Sequence, residues 1–466
     1  MKRYELALTL LLSSGLAACS GGMQSASPLP QSGSQLQLSG LSALDSALVL
    51  RSQTDNAKSA SWAETYFNAA HTGFNPAEKT LSASNVNGLK ELWGYDTPGT
   101  NILAFAVDKG NVFVLRGDYS IDAVSGTTHQ KIWSVANLGA SVNQPTLATA
   151  YGLVFVPCAD TNDNGAGICA LSETSGTLVW KVAHGYSCGG SALADPYVYD
   201  SGVIYAPWGQ CGFHGMFAIN AKTGQTIWGY NGYYAAGQGS APAVGKGLVY
   251  YNCSFSSNND AGVCALNQST GALVWSVAYP QSCQPCEVTP AFTYNKGVLY
   301  EHMIFWDSST GQVIALNATS GNQIWQGPVE QGYQGPSWPV AFAAGALYDS
   351  GTDDVLYRLN AKNGKAVWSQ SFRTNGSPPS VANGVVYHNG GAPVSGGNAF
   401  LTAYDATSGK VLWADTQDNN GTVNPPPVVL NGTVYGASAN GSCQLCVYGL
   451  PSHDRWRGAA VSASKH

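Results

Sequence analysis

The sequence predicts an all-β protein, an eight-bladed β-propeller built from four-stranded blades. Three observations carry this prediction: a phrase that recurs along the chain, strand and turn signals at the period of a propeller blade, and incomplete strand sets at the two ends. The composition agrees, because the 466 residues include 55 Gly and 11% aromatic residues but only 10% charged residues. Many short strands joined by tight turns give this composition.

The recurring phrase ends in tryptophan, as in "FAINAKTGQTIW" (217–228), "VCALNQSTGALVW" (263–275) and "LTAYDATSGKVLW" (401–413). In six of seven copies a Gly lies four residues before the Trp, whereas in the first copy Gly126 lies seven residues before Trp133 and predicts a longer turn. Such a repeat is typical of stacked structural units. The phrase-ending tryptophans, spaced 43 to 50 residues apart, are Trp133, Trp180, Trp228, Trp275, Trp325, Trp368 and Trp413.

Each position of the phrase has a physical role. The Gly supplies the positive φ of a tight turn. A short polar residue four positions earlier, such as Asn220 or Asp405, can bind the backbone of that turn. We expect the Trp ring to pack between neighbouring sheets while its indole N–H finds an acceptor.

Two further strands precede each phrase, as in "APAVGKGLVYYNCS" (241–254). Four strands in roughly 45 residues is the period of a propeller blade. An eighth Trp strand, "LKELWGY" (89–95), lacks the strands before it, and 426–451 supplies three strands without a fourth. Joining the two sets closes the ring and removes two exposed edges; a solenoid left open is the alternative.

The first residues predict an export signal. Lys2 and Arg3 precede a short apolar core, and "LAAC" ends at Cys19. This apolar core is too short to span a membrane. The small residues before Cys19 resemble the bacterial lipobox, so residues 1–18 are expected to be a lipoprotein signal peptide and Cys19 the lipidated residue. An ordinary signal is the alternative. Ser20 rather than Asp follows, which in Gram-negative lipoproteins implies the outer membrane.

The cysteines also suit an exported chain, because ten remain after Cys19 and an even number indicates disulfides. Cys158 with Cys169, and Cys253 with Cys264, occupy one repeat position and should each tie two strands of a hairpin. Cys443 and Cys446 lie in the equivalent hairpin. By elimination Cys188 pairs with Cys211, and Cys283 with Cys286.

The repeat "A-x-T-G-x-x-x-W" resembles the PQQ-like (quinoprotein-type) propeller repeat, and 62–93 resembles the entry segment of the same superfamily. The predicted organisation is therefore a Ser/Gly/Gln-rich tether (19–60), an entry segment (61–88), the propeller (89–451) and a C-terminal tail (452–466). The resemblance implies the fold. It does not imply a bound quinone, because the Trp and Gly serve blade packing in either case.

Propeller sites usually lie where loops enter the innermost strands, and here those loops follow each repeat Trp. Their polar and aromatic residues are candidates for ligand binding at the channel mouth, with turn and capping groups as the alternative. The candidates are Asn143, Gln144, Ser240, Glu287, Thr289, Trp338 and Asn424.

Three functions suit this architecture. The preferred one is a non-catalytic, lipid-anchored scaffold, because lipid-anchored eight-bladed propellers with this repeat resemble the scaffold lipoprotein of the outer-membrane β-barrel assembly machinery. Such a protein binds envelope proteins through loops and strand edges, and we expect a monomer.

The second function is that of a dehydrogenase that uses pyrroloquinoline quinone (PQQ) and calcium, with Trp338, Glu287 and Asn143 or Asn424 around these cofactors. Many enzymes of the resembled family carry a disulfide between adjacent cysteines, and the absence of any Cys-Cys pair from this sequence argues against this function. The third is carbohydrate or small-ligand binding at Tyr233, Tyr234, Tyr333 and Trp338.

Other signals favour ordinary structural roles. The net charge of −6, without a basic cluster after Arg3, gives no footprint for nucleic acid. "CQPC" (283–286) favours a structural disulfide over a redox motif, and no Cys-x-x-Cys-His haem motif occurs. We expect no metal site: "DTNDNGAG" (160–167) is interpreted as a polar hairpin tip, and His214, His302 and His388 as loop or packing residues.

Overall fold

The computed structural model describes residues 61–451 except for 139–140, 143–144, 161–164, 185–192, 195, 211–212, 234–240, 255–260, 279–290, 306–308, 333–337, 373–375, 395–396, 416–424 and 439–442. The predicted signal peptide, tether and C-terminal tail lie outside the described residues. Within them the secondary structure is almost entirely β, with a single 3₁₀ turn at Val86–Gly88. No helix among these residues is long and apolar enough to cross a membrane.

The strands form blades of four antiparallel strands, which we name A to D from the innermost outward. Blade 1 is Ile102–Asp108, Asn111–Arg116, Ile121–Ser125 and Lys131–Val135. Blade 2 is Ala148–Ala150, Leu153–Asp160, Gly165–Ser172 and Leu178–His184. Blade 3 is Val198–Asp200, Val203–Gln210, Phe213–Asn220 and Thr226–Tyr233. Blade 4 is Ala243–Gly245, Leu248–Ser254, Ala261–Asn267 and Leu273–Ala278.

The same order continues to the C-terminus. Blade 5 is Ala291–Asn295, Val298–Phe305, Thr310–Asn317 and Gln323–Gln331. Blade 6 is Ala341–Ala343, Ala346–Ser350, Val355–Asn360 and Ala366–Ser371. Blade 7 is Ser380–Ala382, Val385–Val394, Gly397–Asp405 and Val411–Ala414. Two short parallel pairings lie outside the blades proper, Phe74–Asn75 beside Ser380–Ala382 and Ser141–Val142 beside Leu193–Ala194.

The eighth blade joins the two ends of the propeller, as predicted. Val428–Leu430, Thr433–Ala437 and Leu445–Gly449 supply strands A to C, and Lys90–Tyr95 supplies strand D. Trp93 pairs with Val447 and Tyr95 with Leu445 in antiparallel register. This pairing confirms the closed ring of eight blades and contradicts the open solenoid.

The core is divided among the seams between blades. In the described residues, a separate cluster of buried apolar side chains fills each pair of consecutive blades, and the cluster between blades 8 and 1 combines Val428 and Val447 with Phe105 and Val112. These strands are rich in Val, Ile, Tyr and Phe, which fit a pleated surface buried on both faces. Burial of this apolar area therefore holds neighbouring blades together.

The phrase-ending tryptophans connect each blade to the next. The indole N–H of Trp180 donates to the carbonyl of Ala221 at 3.1 Å, and that of Trp228 to the carbonyl of Gln268 at 3.0 Å. Trp133, Trp275, Trp325 and Trp368 donate in the same way to the following blade. Each phrase Gly lies against the Trp ring of the preceding blade: Gly176, Gly224, Gly271, Gly321, Gly364 and Gly409. The expected roles of the Trp and the Gly are thus confirmed.

The turns between strands C and D have the predicted polar cap. Asn220 Oδ1 accepts from the backbone N–H groups of Lys222 and Thr223, and Asp405 Oδ1 accepts from those of Thr407 and Ser408. The first blade differs, as its longer turn predicts. There His129, with a φ of 59°, stacks on Trp93 with 4.6 Å between ring centroids.

The entry segment passes along the innermost strands of all eight blades. One residue of the segment makes a hydrogen bond of 2.7 to 2.9 Å to strand A of each blade. From blade 1 to blade 8 these residues are Trp62, Ala63, Glu64, Ala69, Ala70, Thr72, Gly73 and Asn75. The segment therefore satisfies backbone groups at the inner edge of every sheet, where they would otherwise be unpaired.

Three of the predicted disulfides are present. Cys158–Cys169 and Cys253–Cys264 join strands B and C of blades 2 and 4, each with 5.8 Å between Cα atoms. Cys443–Cys446 spans only three residues at the start of strand C of blade 8, so it closes a short loop instead of joining two strands. Cys188, Cys211, Cys283 and Cys286 lie outside the described residues.

Candidate functional site

Of the seven predicted channel-mouth residues, Trp338 lies within the described residues. Asn143, Gln144, Ser240, Glu287, Thr289 and Asn424 lie outside the described residues, as do Tyr234 and Tyr333. Tyr233 ends strand D of blade 3, and its backbone pairs with Ser254 of blade 4. "CQPC" lies outside the described residues, as do the tip of "DTNDNGAG" and the side chain of His214.

Trp338 is the one candidate whose side chain is described, and it is buried. Only 4% of its surface is exposed, and its indole N–H donates to the carbonyl of Gly376 at 2.8 Å. The prediction that Trp338 offers an open aromatic surface is therefore wrong. Its acceptor lies in the connection between blades 6 and 7, and a buried ring with a satisfied N–H is more stable than a ring left in water.

A different group of buried polar residues emerges from the repeat register. Strand B of each blade contains an aromatic or apolar repeat position followed by two residues that point to opposite faces. These two residues are apolar in blade 2 (Val156 and Pro157) and blade 3 (Ala206 and Pro207). In blades 5 to 7 they become polar or titratable: Glu301 and His302, Asp349 and Ser350, His388 and Asn389.

These positions meet across the seams in a regular way. The second residue of one blade faces the first residue of the next, so His302 Nδ1 lies 3.5 Å from Asp349 Oδ1. One seam further on, Ser350 Oγ lies 3.0 Å from His388 Nε2. Asn389 then donates to the carbonyl of Pro425 at 3.2 Å. At these two strand-B positions, blades 5 to 7 thus bury polar side chains where blades 2 and 3 have apolar ones.

The seam between blades 5 and 6 holds the densest group. Glu330, on strand D of blade 5, places its Oε2 3.1 Å from His302 Nε2. One ligand atom from each of His302, Glu330 and Asp349 lies within 4.8 Å of the others. All three side chains are at most 2% exposed. We call these three residues the seam cluster.

Neighbouring residues hold the seam cluster in place. The backbone N–H and the hydroxyl of Thr352 both donate to Glu330 Oε2, at 2.8 and 3.2 Å. Gly311 leaves the space for this contact, because a Cβ there would lie 2.5 Å from Glu330 Oε2 and 2.6 Å from Thr352 Oγ1. Neither carboxylate oxygen of Asp349 accepts a hydrogen bond from the residues that the structure describes.

Burial and mutual charge interactions shift the pKa values of all three residues of the seam cluster. Burial alone would lower the pKa of His302, but the adjacent carboxylates of Asp349 and Glu330 outweigh it and raise that pKa to about 10. Burial raises the pKa of Asp349 well above its ordinary value against the opposing effect of His302. Burial would raise the pKa of Glu330 as well, yet His302 lowers it to about 2. A histidine between two carboxyl groups of different affinity for protons is typical of functional sites and also of structural ion pairs.

Sequence reasoning missed this group for a specific reason. His302, Glu330 and Asp349 are separated by 28 and 19 residues, and no metal or catalytic motif has that spacing. The signal lies in the repeat alignment, where "LYEH" and "LYDS" replace "VFVP" and "IYAP". His388 behaves as predicted, since it is a buried packing residue beside Ser350 and Phe372.

Comparison with known proteins places the chain among PQQ-like propellers. The family model described as outer membrane protein assembly factor BamB matches residues 164–335 and 309–443, which together span more than half of the chain. Tetrathionate hydrolase of Acidithiobacillus ferrooxidans is 28% identical over 224 residues, covering 46% of this chain and 43% of that protein. The chain thus matches less than half the length of this curated relative.

Solved structures agree on the fold. Quinohemoprotein alcohol dehydrogenase of Comamonas testosteroni superposes with a TM-score of 0.62 at 15% identity, over 88% of this chain and 84% of its own. BamB of Moraxella catarrhalis superposes with a TM-score of 0.53 at 16% identity, over 78% of this chain and 98% of its own. At these identities the likeness concerns the fold alone.

Proposed function

The chain belongs to the PQQ-like repeat family described as outer membrane protein assembly factor BamB, and on that premise we propose that it is a cell-envelope protein that binds another protein through the outer strands of its propeller. In this proposal Cys19 carries the lipid that anchors it, and Ser20 directs it to the outer membrane. The binding role needs no catalytic group, so it is consistent with the absence of recognisable catalytic motifs from the sequence.

The observation that carries the proposal is an apolar ring on the outer strands. In each of seven blades the residue before the strand-D Trp points away from the core and is an aliphatic exposed between 43% and 53%. We call these residues the outer aliphatic ring: Leu92, Ile132, Val179, Ile227, Val274, Ile324 and Val367. Solvent-facing positions of a strand are usually polar, so their repetition supports a binding role.

Within the described part of the chain, most strands that carry this ring also have one edge whose backbone N–H and C=O groups face no neighbouring strand. Among the described residues, the D strands of blades 1, 2, 4, 5, 6, 7 and 8 each end their sheet, with one neighbour only. An extended segment of another protein can add to such an edge, gaining backbone hydrogen bonds while its side chains contact the exposed aliphatics. The partner class that fits best is a protein with a free extended segment.

The test compares two charge variants of the full-length chain. Ile227→Lys/Val274→Lys/Ile324→Lys puts charges on three neighbouring outer strands, and Lys222→Glu/Lys296→Glu changes charges on exposed turns. After mild crosslinking in the native envelope, the wild type and the turn variant should retain the same partner, and the outer-strand variant should lose it. Equal retention by both variants, or a wild-type chain that stays a lone monomer, contradicts the proposal.

The quinone function receives no support from the described residues. Of the residues assigned to a PQQ site only Trp338 is described, and its buried ring offers no open face on which a planar cofactor could stack. Titration of the purified protein with PQQ and calcium should give no quinone absorption band and no dye-linked alcohol oxidation.

A hydrolytic function is the second candidate, favoured by the seam cluster and by the similarity to a protein named tetrathionate hydrolase. A histidine and two carboxyl groups with displaced pKa values are suited to moving protons during attack by water. Tetrathionate consumption by the wild type that His302→Gln abolishes and His388→Gln retains would support it. No consumption by the folded wild type removes it.

A further inference from the structure

We propose that His302, Glu330 and Asp349 bind one divalent first-row metal ion, of the zinc or manganese class, at the seam between blades 5 and 6. The inference depends on neither function proposed above, because it follows from the donor atoms, their spacing and their burial alone. A metal at this seam would tie blade 5 to blade 6, whichever partner or substrate the propeller engages.

The donor atoms are close enough for a shared ion. Ligands about 2.1 Å from zinc lie at most about 4.2 Å from one another, whereas one ligand atom from each of the three residues lies within 4.8 Å of the others. The 3.1 Å between His302 Nε2 and Glu330 Oε2 already satisfies that limit. Asp349 faces the other ring nitrogen, Nδ1, and one ion binds a single imidazole nitrogen. Rotation of Asp349 or of the His302 ring must therefore bring both carboxylates to the same nitrogen before the three residues share an ion.

The charge at this seam suits a cation once bound protons are displaced. An ion that replaces the protons held by the empty cluster would face two carboxylates and a neutral imidazole, which sum to −2, and one divalent ion balances that charge. Charges buried in protein are paired or coordinate metals, because isolated ones are very costly. Asp349 is the decisive residue: it is 1% exposed, and neither of its oxygens accepts a hydrogen bond from the described part of the chain. A coordinated ion would satisfy both the charge and these lone pairs.

The residues around the cluster have the features of a second shell. Ligating carboxylates and imidazoles are usually oriented by further hydrogen bonds. Thr352 donates twice to Glu330 Oε2, and the backbone of Trp338 hydrogen-bonds the His302 imidazole. Gly311 keeps the space beside Glu330 open. The three ligands thus lie on three different strands, and neighbouring residues orient them before any ion arrives.

The donor set also selects among metals. Calcium and magnesium take oxygen ligands, and calcium takes six to eight of them. One imidazole with two carboxylates suits zinc, manganese or iron. We therefore expect binding of Zn²⁺ and Mn²⁺, with much weaker binding of Mg²⁺ and Ca²⁺.

The next seam provides a matched control within the same chain. His388 is 1% exposed and lies on the equivalent strand two blades further on, but its Nε2 faces the hydroxyl of Ser350. No carboxylate lies beside it in the hydrogen bonds that the structure shows. His388→Gln should leave metal binding unchanged, whereas His302→Gln should remove it.

The experiment uses the purified full chain without an affinity tag, stripped with a chelator. Titration calorimetry with Zn²⁺, and the visible d–d absorption of Co²⁺ as a substitute, should show one ion bound per chain at the seam. His302→Gln, Glu330→Gln and Asp349→Asn should each weaken this binding by more than about 100-fold, and Thr352→Val by about 10-fold, in line with losses of ligands and of second-shell partners. Circular dichroism of each variant establishes that it is folded.

Two results would overturn the proposal. The first is a folded, stripped wild type that takes up neither Zn²⁺ nor Mn²⁺ at millimolar concentration, which is expected if the cluster is a closed ion pair with a shared proton. The second is binding that His302→Gln and His388→Gln leave equally strong, which would place the ion elsewhere in the chain. If the ligand variants fail to fold, the wild-type titration and its cobalt spectrum still decide between a site and none.

Discussion

Gly224 of blade 3 lies directly against the indole ring of Trp180 of blade 2, and a Cβ at Gly224 would stand 2.8 Å from Cδ2 of that ring. The same indole donates its N–H to the carbonyl of Ala221, three residues before Gly224. The repeat glycine is therefore required twice, for a φ of 73° and for the close approach of the neighbouring blade. This contact explains why the Gly and the Trp recur together.

Gly224→Ala is expected to destabilise the propeller more than Gly247→Ala. Both glycines have positive φ, at 73° and 75°, but a Cβ at Gly247 meets no atom within 4 Å. The backbone cost, roughly 1–2 kcal/mol, is common to both, and overpacking against Trp180 adds about 1–3 kcal/mol to Gly224→Ala alone. Urea unfolding followed by tryptophan fluorescence measures the difference. Equal midpoints for the two variants would refute the packing role.

Stability should fall with rising pH because of Glu64. Glu64 lies in the entry segment, accepts a hydrogen bond from the Tyr199 N–H at 2.7 Å, and has its pKa raised by burial from 4.5 to about 8. The folded state therefore retains a proton that the unfolded chain releases, so this contribution is complete below pH 4.5 and is lost as the pH rises towards 8. The slope from one such group is at most about 1.4 kcal/mol per pH unit.

Glu64→Gln keeps the shape and the acceptor but cannot ionise. The free energy of unfolding of this variant should lose the pH dependence that Glu64 adds between pH 5 and pH 8. The wild type and the variant share every other titrating group, so the difference between their curves isolates this residue. Parallel curves across that window would show that Glu64 does not titrate there.

Peptide mapping without reduction should find the two disulfides that lie outside the described residues. Cys188 should be linked to Cys211, and Cys283 to Cys286, beside the three pairs present in the structure. Six of the ten cysteines after Cys19 are already joined, and of the three ways to pair the other four we expect this one. A peptide linking Cys188 to Cys283 would disprove this pairing.

Cys19→Ala should abolish lipid attachment. Cells labelled with radioactive palmitate should incorporate label into the wild type and not into the variant, and the variant should leave the membrane fraction. Ser20→Asp, which retains the lipidated residue, should still be labelled but should remain with the inner membrane. Label in Cys19→Ala at the wild-type level would mean that Cys19 is not the anchor.

The ring of blades was predictable because it repeats. The Trp, the Gly four residues earlier and the capping Asn appear in nearly every blade, so each copy supports the others, and residues 89–95 and 426–451 each lack what the other supplies. The path of the entry segment was not predictable, since it meets each blade through only a few hydrogen bonds to residues far away in sequence. Such contacts leave no periodic pattern.

The seam cluster shows where prediction from the sequence ends. His302, Glu330 and Asp349 belong to two different blades, and only the stacking of blade 6 on blade 5 brings them together. Trp338 illustrates the opposite error, because its place on a loop suggested exposure while packing against its neighbours buries it. Repeat alignment identifies unusual positions, and three-dimensional packing decides which of them meet.

The central functional claim, that a protein partner lies along the outer strands, is tested most directly by photo-crosslinking in living cells. A photoreactive amino acid is placed singly at each position of the outer aliphatic ring and, as controls, at the exposed turn residues Lys222, Lys296 and Lys362. We predict that positions in several adjacent blades crosslink to one and the same envelope protein while the turn positions do not. Crosslinks that arise only from the turns, or none from any ring position, would contradict the claim.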